Sequence, residues 1–493
     1  MTLSTSSRHR VAFIALLSAA FMGIVDGFIV NVAAPSIQVD LKASFGDIQL
    51  VIAGYMMAYA VTLTTGGRLG DIFGQRVIFM TGMLIFIASS VGCAIAPGPI
   101  ALIVTRIIQG VGAALMLPQV LALIQVIFPA GERPRVLGYY AATVGLGSIT
   151  GQLLGGLLIA ADFAGIGWRA VFLVNVPIGL IVIILASSTI KSRRSSDVPK
   201  LDILGVILLA STLMLLLYPL IQAPAGSWSW YMFISLGGFF LAGAFFLLVE
   251  HRSSREGRAP LLPLHLFKQR GMAVGLPIAI VFYSGNTGLF VLLAYVLQDG
   301  YRLSPLESGL MFVPLPLGFV LASTLSRKFS AIIGARLLTA GSVVMIFSLA
   351  AGWVAVSGQM SNMRISICLA ILFFAGLGQG MVSPPLMGAV LKEVRLSDAG
   401  VASGVFLTVA QIANGLGVAI IGALFNALLN GHRIIGNSAI VAYSHALAGC
   451  LLALLALSCV VFVLLRVLNR TEGAVEGAQD HIMDNQASMA STD

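Results

Sequence analysis

The sequence predicts an all-α polytopic membrane protein: two six-helix bundles plus two inserted helices, fourteen transmembrane helices in all. Three observations lead there. Of 493 residues, 58% are hydrophobic and only 10% charged. An average soluble domain is roughly a quarter charged, so this chain lacks the residues for a solvated skin. The apolar residues fall in runs of about twenty, the length that crosses a hydrocarbon core as a helix. Lys and Arg gather in alternate breaks between those runs.

Backbone groups in lipid must be satisfied internally, which leaves helices or a closed barrel. The runs are long and lack period-two alternation, so they read as helices. They lie near 11–34, 48–66, 77–96, 100–127, 136–160, 168–188, 202–221, 229–250, 271–297, 306–325, 334–356, 364–387, 398–428 and 440–467. Only Met1 to Arg10 precede the first. That run has no small-residue cleavage site and reads as an uncleaved span, not a secretory signal peptide. The four cysteines sit inside apolar runs without metal-ligand spacing and read as packing residues.

Basic residues of short loops mark the inner side. With the N-terminus inside, 22 of the 28 Lys and Arg are internal. Lys42, Arg169, Arg302, Arg364 and Arg433 are external, and Arg106 lies within a span. Both termini are then expected in the cytoplasm. The net charge of +9 does not point to nucleic acid, because it is spread over these short breaks.

The first span begins near residue 11 and the ninth near 271, an offset of about 260. That offset carries Gly74-Gln75-Arg76 onto Gly334-Ala335-Arg336, and the glycine-rich fifth span onto the thirteenth, with Gly415, Gly417 and Gly422. Six spans repeat and two do not. The expected organisation is therefore a bundle over 1–190, a linker with two inserted helices over 191–270, a second bundle over 271–468, and a disordered cytoplasmic tail over 469–493. Two bundles that meet at a central cavity can rock about it, giving alternating access.

Ionisable groups inside spans are expensive and mark function. Two stand out. Asp26 is in the first span and Arg106 in the fourth, both in the outer half by helical rise. Desolvation favours the neutral carboxyl, and a nearby guanidinium favours the charged one. A carboxyl between those pulls is a candidate proton carrier; the alternative is a static ion pair that only locks two helices. Gln109, one turn after Arg106, either steadies the guanidinium or lies on a plain packing face. Asn31 is taken with it as supporting the coupling.

The short glycine-rich segment from Gly67 to Arg76, with Asp71 and Gly74, is a candidate cytoplasmic gate, although a positive-inside turn has the same composition. Gly147, Gly151 and Gly155 are four apart on one helical ridge, with Gln152 and Gly156 beside them. That ridge suits close helix contact, either as a seal between bundles or as ordinary packing. For a substrate cavity the candidates are Tyr55, Tyr283, Asn286, Phe290 and Gln411. No nucleotide loop, zinc cluster or nucleophilic triad occurs in the sequence, so no enzyme activity, cofactor or metal is expected.

Together these segments resemble the major facilitator superfamily. Gly67 to Arg76 is similar to its loop signature. Leu102-x3-Arg106-x2-Gln109-Gly110-x-Gly112-Ala113-Ala114 matches its fourth-span signature, and Gly147-x3-Gly151-Gln152-x2-Gly155-Gly156 its fifth-span antiporter signature. Asp26-x-Phe28-Ile29-Val30-Asn31-Val32-Ala33-Ala34-Pro35 and Trp168-Arg169-x2-Phe172-x2-Asn175-x-Pro177-x-Gly179 resemble the fourteen-span drug:proton antiporters. The likeness extends to about residue 468.

The resemblance implies proton coupling at Asp26 and Arg106 and a gate at Asp71 and Arg76. It implies a monomer in the cytoplasmic (inner) membrane of a bacterium, taking protons and small amphiphilic molecules as partners and exporting the latter. The alternative is a dedicated exporter of one metabolite or self-made antibiotic; an uptake carrier or a non-transport sensor ranks lower. Two positions depart from the signatures. Gln152 stands where Pro is usual, and Phe28 where Thr is usual. Loss of Pro removes the usual cause of a kink, Gln152 adds a hydrogen-bonding group, and Phe28 narrows the site.

Overall fold

The computed structural model describes residues 5–129, 131–190, 202–222, 229–256, 261–262, 264–334, 336–358, 365–392, 394–395, 398–434 and 439–490. Among these, fourteen helices are long and apolar enough to span a membrane. They are α1 (His9–Asp40), α2 (Phe45–Phe73), α3 (Gln75–Ala94), α4 (Pro99–Ile127), α5 (Arg135–Ala161), α6 (Gly167–Thr189) and α7 (Ile203–Ile221). Then come α8 (Trp230–Arg255), α9 (Arg270–Gly300), α10 (Pro305–Ser326), α11 (Arg336–Gly358), α12 (Ser366–Leu391), α13 (Val401–Asn430) and α14 (Ala439–Leu468). The chain is a multi-pass, fourteen-helix membrane protein, as its composition required. The fourteen helices match the expected spans one for one. Lys191, Arg193, Arg194, Lys200, Arg258, Ala335 and Arg364 lie outside the described residues.

The second span, expected to end near 66, continues through Gly67, Gly70 and Asp71 to Phe73, so most of the segment expected as a loop is helix. Two further boundaries moved. The first span was expected to stop at residue 34, but α1 carries Pro35 inside it and continues to Asp40. A proline in a membrane helix is tolerated where neighbours compensate. Here Asp40 is tied down by Trp168 Nε1, at 2.9 Å, and Arg169 Nη1, at 2.6 Å, at the start of α6. The second concerns the tail. Disorder was expected over 469–493, but the helix containing α14 continues to Ala490. That stretch is polar, yet it carries Ala474, Glu476, Ala478 and Gln479, residues with good helix propensity.

The repeat is visible in the backbone. Ser44 caps α2 through a capping box with Asp47, and Ser304 caps α10 through one with Glu307. Lys42 and Arg302 both take positive φ, 49° and 59°. So do Gly74 and Gly334, at 96° and 55°, where α2 turns into α3 and α10 into α11. Every one of these pairs is 260 residues apart. Gly82 on α3 faces Gly112 of α4, and Gly341 on α11 faces Gly378 of α12.

An odd-numbered helix runs away from the face bearing the N-terminal end of α1, here called the terminal face, and an even-numbered one returns to it. The bundles meet along α2 with α13 and α5 with α10. Toward the far face, Gln49 Nε2 on α2 donates to Val418 O on α13 at 3.1 Å. Gln298 Nε2 on α9 donates to Val32 O on α1 at 2.9 Å. Phe45 packs edge-on against Tyr295, with Phe425 beside it. The unrepeated pair forms a hairpin: α8 packs on α7, and α7 lies against both α2 and α13, across the seam between bundles. Trp230, Phe233, Phe240, Leu241 and Leu248 of α8 are exposed, as suits a helix bathed in lipid.

Candidate functional site

Five helices of the first bundle converge on one polar cluster in an apolar interior. Asp26 of α1 and Arg106 of α4 are 0% and 1% exposed. Arg106 Nη1 donates to Asp26 Oδ2 at 2.7 Å and to Gln109 Oε1 at 2.6 Å. Gln109 Nε2 donates to Asp26 Oδ1 at 2.9 Å and to Ser90 Oγ of α3 at 2.8 Å. Asn175 Nδ2 of α6 reaches Asp26 Oδ1 at 2.8 Å. The carboxyl therefore accepts three donors, one of them a cation.

The guanidinium is held as firmly. Its Nε lies 3.4 Å from Val51 O of α2, and its carbon sits 4.1 Å from the centre of the Tyr55 ring. Such a cation–π contact contributes about 2 kcal/mol when desolvated. Phe172 flanks it at 5.7 Å. A charge buried this deeply is tenable only when paired and hydrogen-bonded. Here both conditions are met, so removal of either partner leaves an uncompensated charge.

The sequence put Asp26 and Arg106 at similar depth and left Gln109 between steadying the guanidinium and a packing face; in the structure the three meet. Asn31 does not join them. It is buried, and its Oδ1 has no hydrogen-bond partner among the described residues. Five positions along a helix turn it well away from Asp26. Ser90 and Asn175 were not singled out for the pair. A serine in a span ordinarily bonds its own helix, as Ser90 Oγ also does to Phe86 O at 2.7 Å, so sequence carries no mark of its second role. Asn175 stood only among many polar span residues and in the sixth-span signature.

The glycine ridge of α5 divides its contacts. A Cβ on Gly147 would touch Ile24, one on Gly151 would lie 2.9 Å from Val25 O, and one on Gly155 would lie 3.0 Å from Ile29 O. These three glycines press α5 onto α1, the helix of Asp26, within one bundle. Their neighbours reach the other bundle: Gly156 abuts Pro305 and Leu306 of α10, Gln152 O abuts Gly309, and Gly145 abuts Val320. The Gln152 side chain is fully buried, and neither amide atom has a partner among the described residues.

In the candidate gate, Gly74 joins α2 to α3 at φ 96°, and Gly67 has open space around it. Arg76 Nη2 donates to Ser187 O near the end of α6 at 2.7 Å. Asp71 is exposed and makes no ion pair among the described residues, so it does not meet Arg76.

A sequence model of the Major Facilitator Superfamily matches residues 16–203 and 202–418. The chain belongs to the Major Facilitator Superfamily. Its curated relatives include a Streptomyces coelicolor protein named "Probable actinorhodin transporter", 37% identical over 86% of this chain and 73% of the relative. Another is the "Tetracenomycin C resistance and export protein" of Streptomyces glaucescens, 33% identical over 83% of this chain and 75% of the relative. Among solved structures, a bacterial homologue of the human lysosomal transporter Spinster aligns with a TM-score of 0.68 at 17% identity, over 94% of this chain and 97% of that one. The superfamily fold and a transport role follow.

The superfamily's two bundles frame the remaining candidates, and these are dispersed. Tyr55 stacks on the guanidinium of Arg106. Tyr283 Oη lies 2.9 Å from Ser383 Oγ. Gln411 Oε1 accepts from Asn414 Nδ2 at 2.7 Å, and Asn414 Oδ1 accepts from Thr287 at 2.7 Å. Asn286 lines, with Gln379, Phe282, Met345 and Leu454, a small cavity of about 20 Å³ inside the second bundle. Phe290 stacks on Phe312 and meets Phe28 edge-on at 5.5 Å, across the seam between bundles. Phe28 therefore fills that seam from the first bundle.

Proposed function

We propose that this transporter exports small amphiphilic, drug-like compounds from the cytoplasm in exchange for protons, by alternating access of its two bundles. One observation carries the reading: Asp26, wholly buried, ion-paired to Arg106 and held by the amides of Gln109 and Asn175. Cation and donors favour the charged carboxyl, and burial favours the neutral one. A shift of α1 against α4 that lengthens the pair leaves burial dominant, and Asp26 takes a proton. Closing the pair expels it. The names of the superfamily relatives, which speak of export and resistance, support the direction.

In this reading the terminal face is cytoplasmic, as the distribution of Lys and Arg indicates, the membrane is the inner membrane, and the monomer is the working unit. The far half, closed by Gln49, Gln298 and Phe45, is then the outer gate in its sealed state. Residues 1–190, 191–270 and 271–468 act as first bundle, inserted hairpin and second bundle, with Asp71 and Arg76 at the cytoplasmic gate.

A second reading, a dedicated exporter of one self-made antibiotic, is favoured by the two Streptomyces relatives. Everted vesicles separate the readings. With a panel of dyes and candidate metabolites, broad accumulation that collapses with the proton gradient supports the first, and one accepted compound supports the second. Flux indifferent to the gradient overturns both.

A further inference from the structure

Beyond Asp26, the described residues hold one other carboxyl buried inside the protein, and it too has company. Glu250, at the terminal-face end of α8, is 0% exposed. Its Oε2 accepts from Leu262 N at 2.9 Å. Asp202, immediately before α7, accepts from Gly205 N at 2.8 Å through Oδ1. The two remaining oxygens, Glu250 Oε1 and Asp202 Oδ2, are buried and have no hydrogen-bond partner among the described residues.

These two oxygens face each other. A Cβ on Gly205 would lie 2.7 Å from Asp202 Oδ2 and 2.8 Å from Glu250 Oε1. The bare glycine is what lets the carboxyls converge over the first turn of α7. Arg68, on the α2 segment that leads into the candidate gate, is their cationic neighbour and feels the charge of both. The segment at Leu261 and Leu262 presents only backbone N–H groups to Glu250.

Two ionised carboxylates cannot hydrogen-bond to each other, and buried acceptors without donors are rare. Like charges held this close disfavour double ionisation, as in carboxylate dyads that share one proton. One added proton answers both facts. Bonded to either oxygen, it donates to the other, and both acceptors are satisfied. The pair then carries a single negative charge, which Arg68 neutralises.

We propose that Asp202 and Glu250 share one proton, making a second proton-binding site at the foot of the inserted hairpin, docked on Arg68. Loss of that proton leaves two facing carboxylates against one guanidinium, and their repulsion parts the end of α8 from the start of α7, the helix that lies against α2. The hairpin thereby reports cytoplasmic pH to the gate segment. The proton site itself does not depend on what the protein exports or on the role of Asp26.

The test is infrared difference spectroscopy of the full-length protein in liposomes, titrated from acid to alkaline pH, following the C=O stretch of protonated carboxyl groups. A band is expected that titrates in the wild type, persists in Asp26→Asn, and is lost in both Glu250→Gln and Asp202→Asn. Glutamine at 250 can donate its amide to Asp202 Oδ2 and so imitates the protonated pair; circular dichroism checks that its helices are intact. Should that variant fail to fold, Asp202→Asn carries the same measurement. A wild type without the band, or a band unchanged in both variants, overturns the shared proton. Failure of gradient-driven export with the band intact would count against the export reading alone.

Discussion

Arg106 Nη1 lies 2.7 Å from Asp26 Oδ2, and neither residue reaches solvent. The amides of Gln109 and Asn175 close around the same carboxyl. A cluster so complete is costly to open, because each buried charge depends on its partner.

Asp26→Asn tests the charge with little change of shape. Asparagine can still accept from Asn175 and Gln109 through its oxygen, but Arg106 loses its counter-charge, so a lowered melting temperature is expected beside the functional effect. Gradient-driven export should fall to background, while exchange of substrate across equilibrated membranes persists. Everted vesicles with and without a proton gradient measure both. Retention of coupling in this variant would reduce the pair to a structural lock.

Arg106→Ala leaves Asp26 buried without a cation. Breaking a buried pair in this way costs about 3–5 kcal/mol, which should appear as a lowered melting temperature in detergent. The double variant with Asp26→Asn should recover part of that loss, because no unpaired charge remains. A purely additive double variant would show that the two residues are not coupled.

Two glycines near the cluster make a matched pair. A Cβ on Gly151 would press on the Val25 backbone oxygen, whereas one on Gly27 meets nothing within 4 Å. Gly151→Ala should destabilise by about 1–3 kcal/mol and depress transport. Gly27→Ala should stay within about 0.5 kcal/mol. Thermal unfolding of both distinguishes close packing of α5 on α1 from a general intolerance of substitution there.

Gln298→Leu and Gln49→Leu each remove one hydrogen bond across the far-face seam. Each bond contributes about 0.5–1.5 kcal/mol, so the two together shift the balance of conformations roughly tenfold or more toward an open far face. Spin-label distances between α1 and α9 at that face should lengthen. Unchanged distances would place the closure elsewhere.

Asn175→Ala removes one donor to Asp26 and leaves an apolar gap beside Ser90. The expected loss is about 1–3 kcal/mol, accompanied by weaker coupling of export to the gradient. Ser90→Ala, which keeps the Asn175 contact to Asp26, should be milder in both measurements.

The span count, the repeat and the meeting of Asp26 with Arg106 were legible in the sequence, because each rests on a strong one-dimensional signal. Apolar runs set span length, and the 260-residue offset reappears in Ser44 and Ser304 and in Gly74 and Gly334. A charge in a membrane helix demands a partner, and Arg106 was the one Lys or Arg placed well inside a span, away from its ends. Other features left no such signal. The first span reads as ending near 34, yet α1 passes through Pro35 to Asp40. Tyr55 was a candidate for the cavity, and nothing in its spacing marked its stacking on Arg106.

What the sequence determined, then, is everything governed by the solvent: how many helices cross, which residues cannot face lipid, and that two halves share one plan. What only the tertiary structure decided is which buried polar groups meet. Ser90 and Asn175 reach the Asp26 cluster from helices far apart in the chain, Asp202 and Glu250 come together at the foot of one hairpin, and Asn31 joins neither. Hydrogen bonds act over about 3 Å. At that range the rotation and offset of each helix, set by glycine contacts and bulky neighbours, outweigh any spacing along the chain.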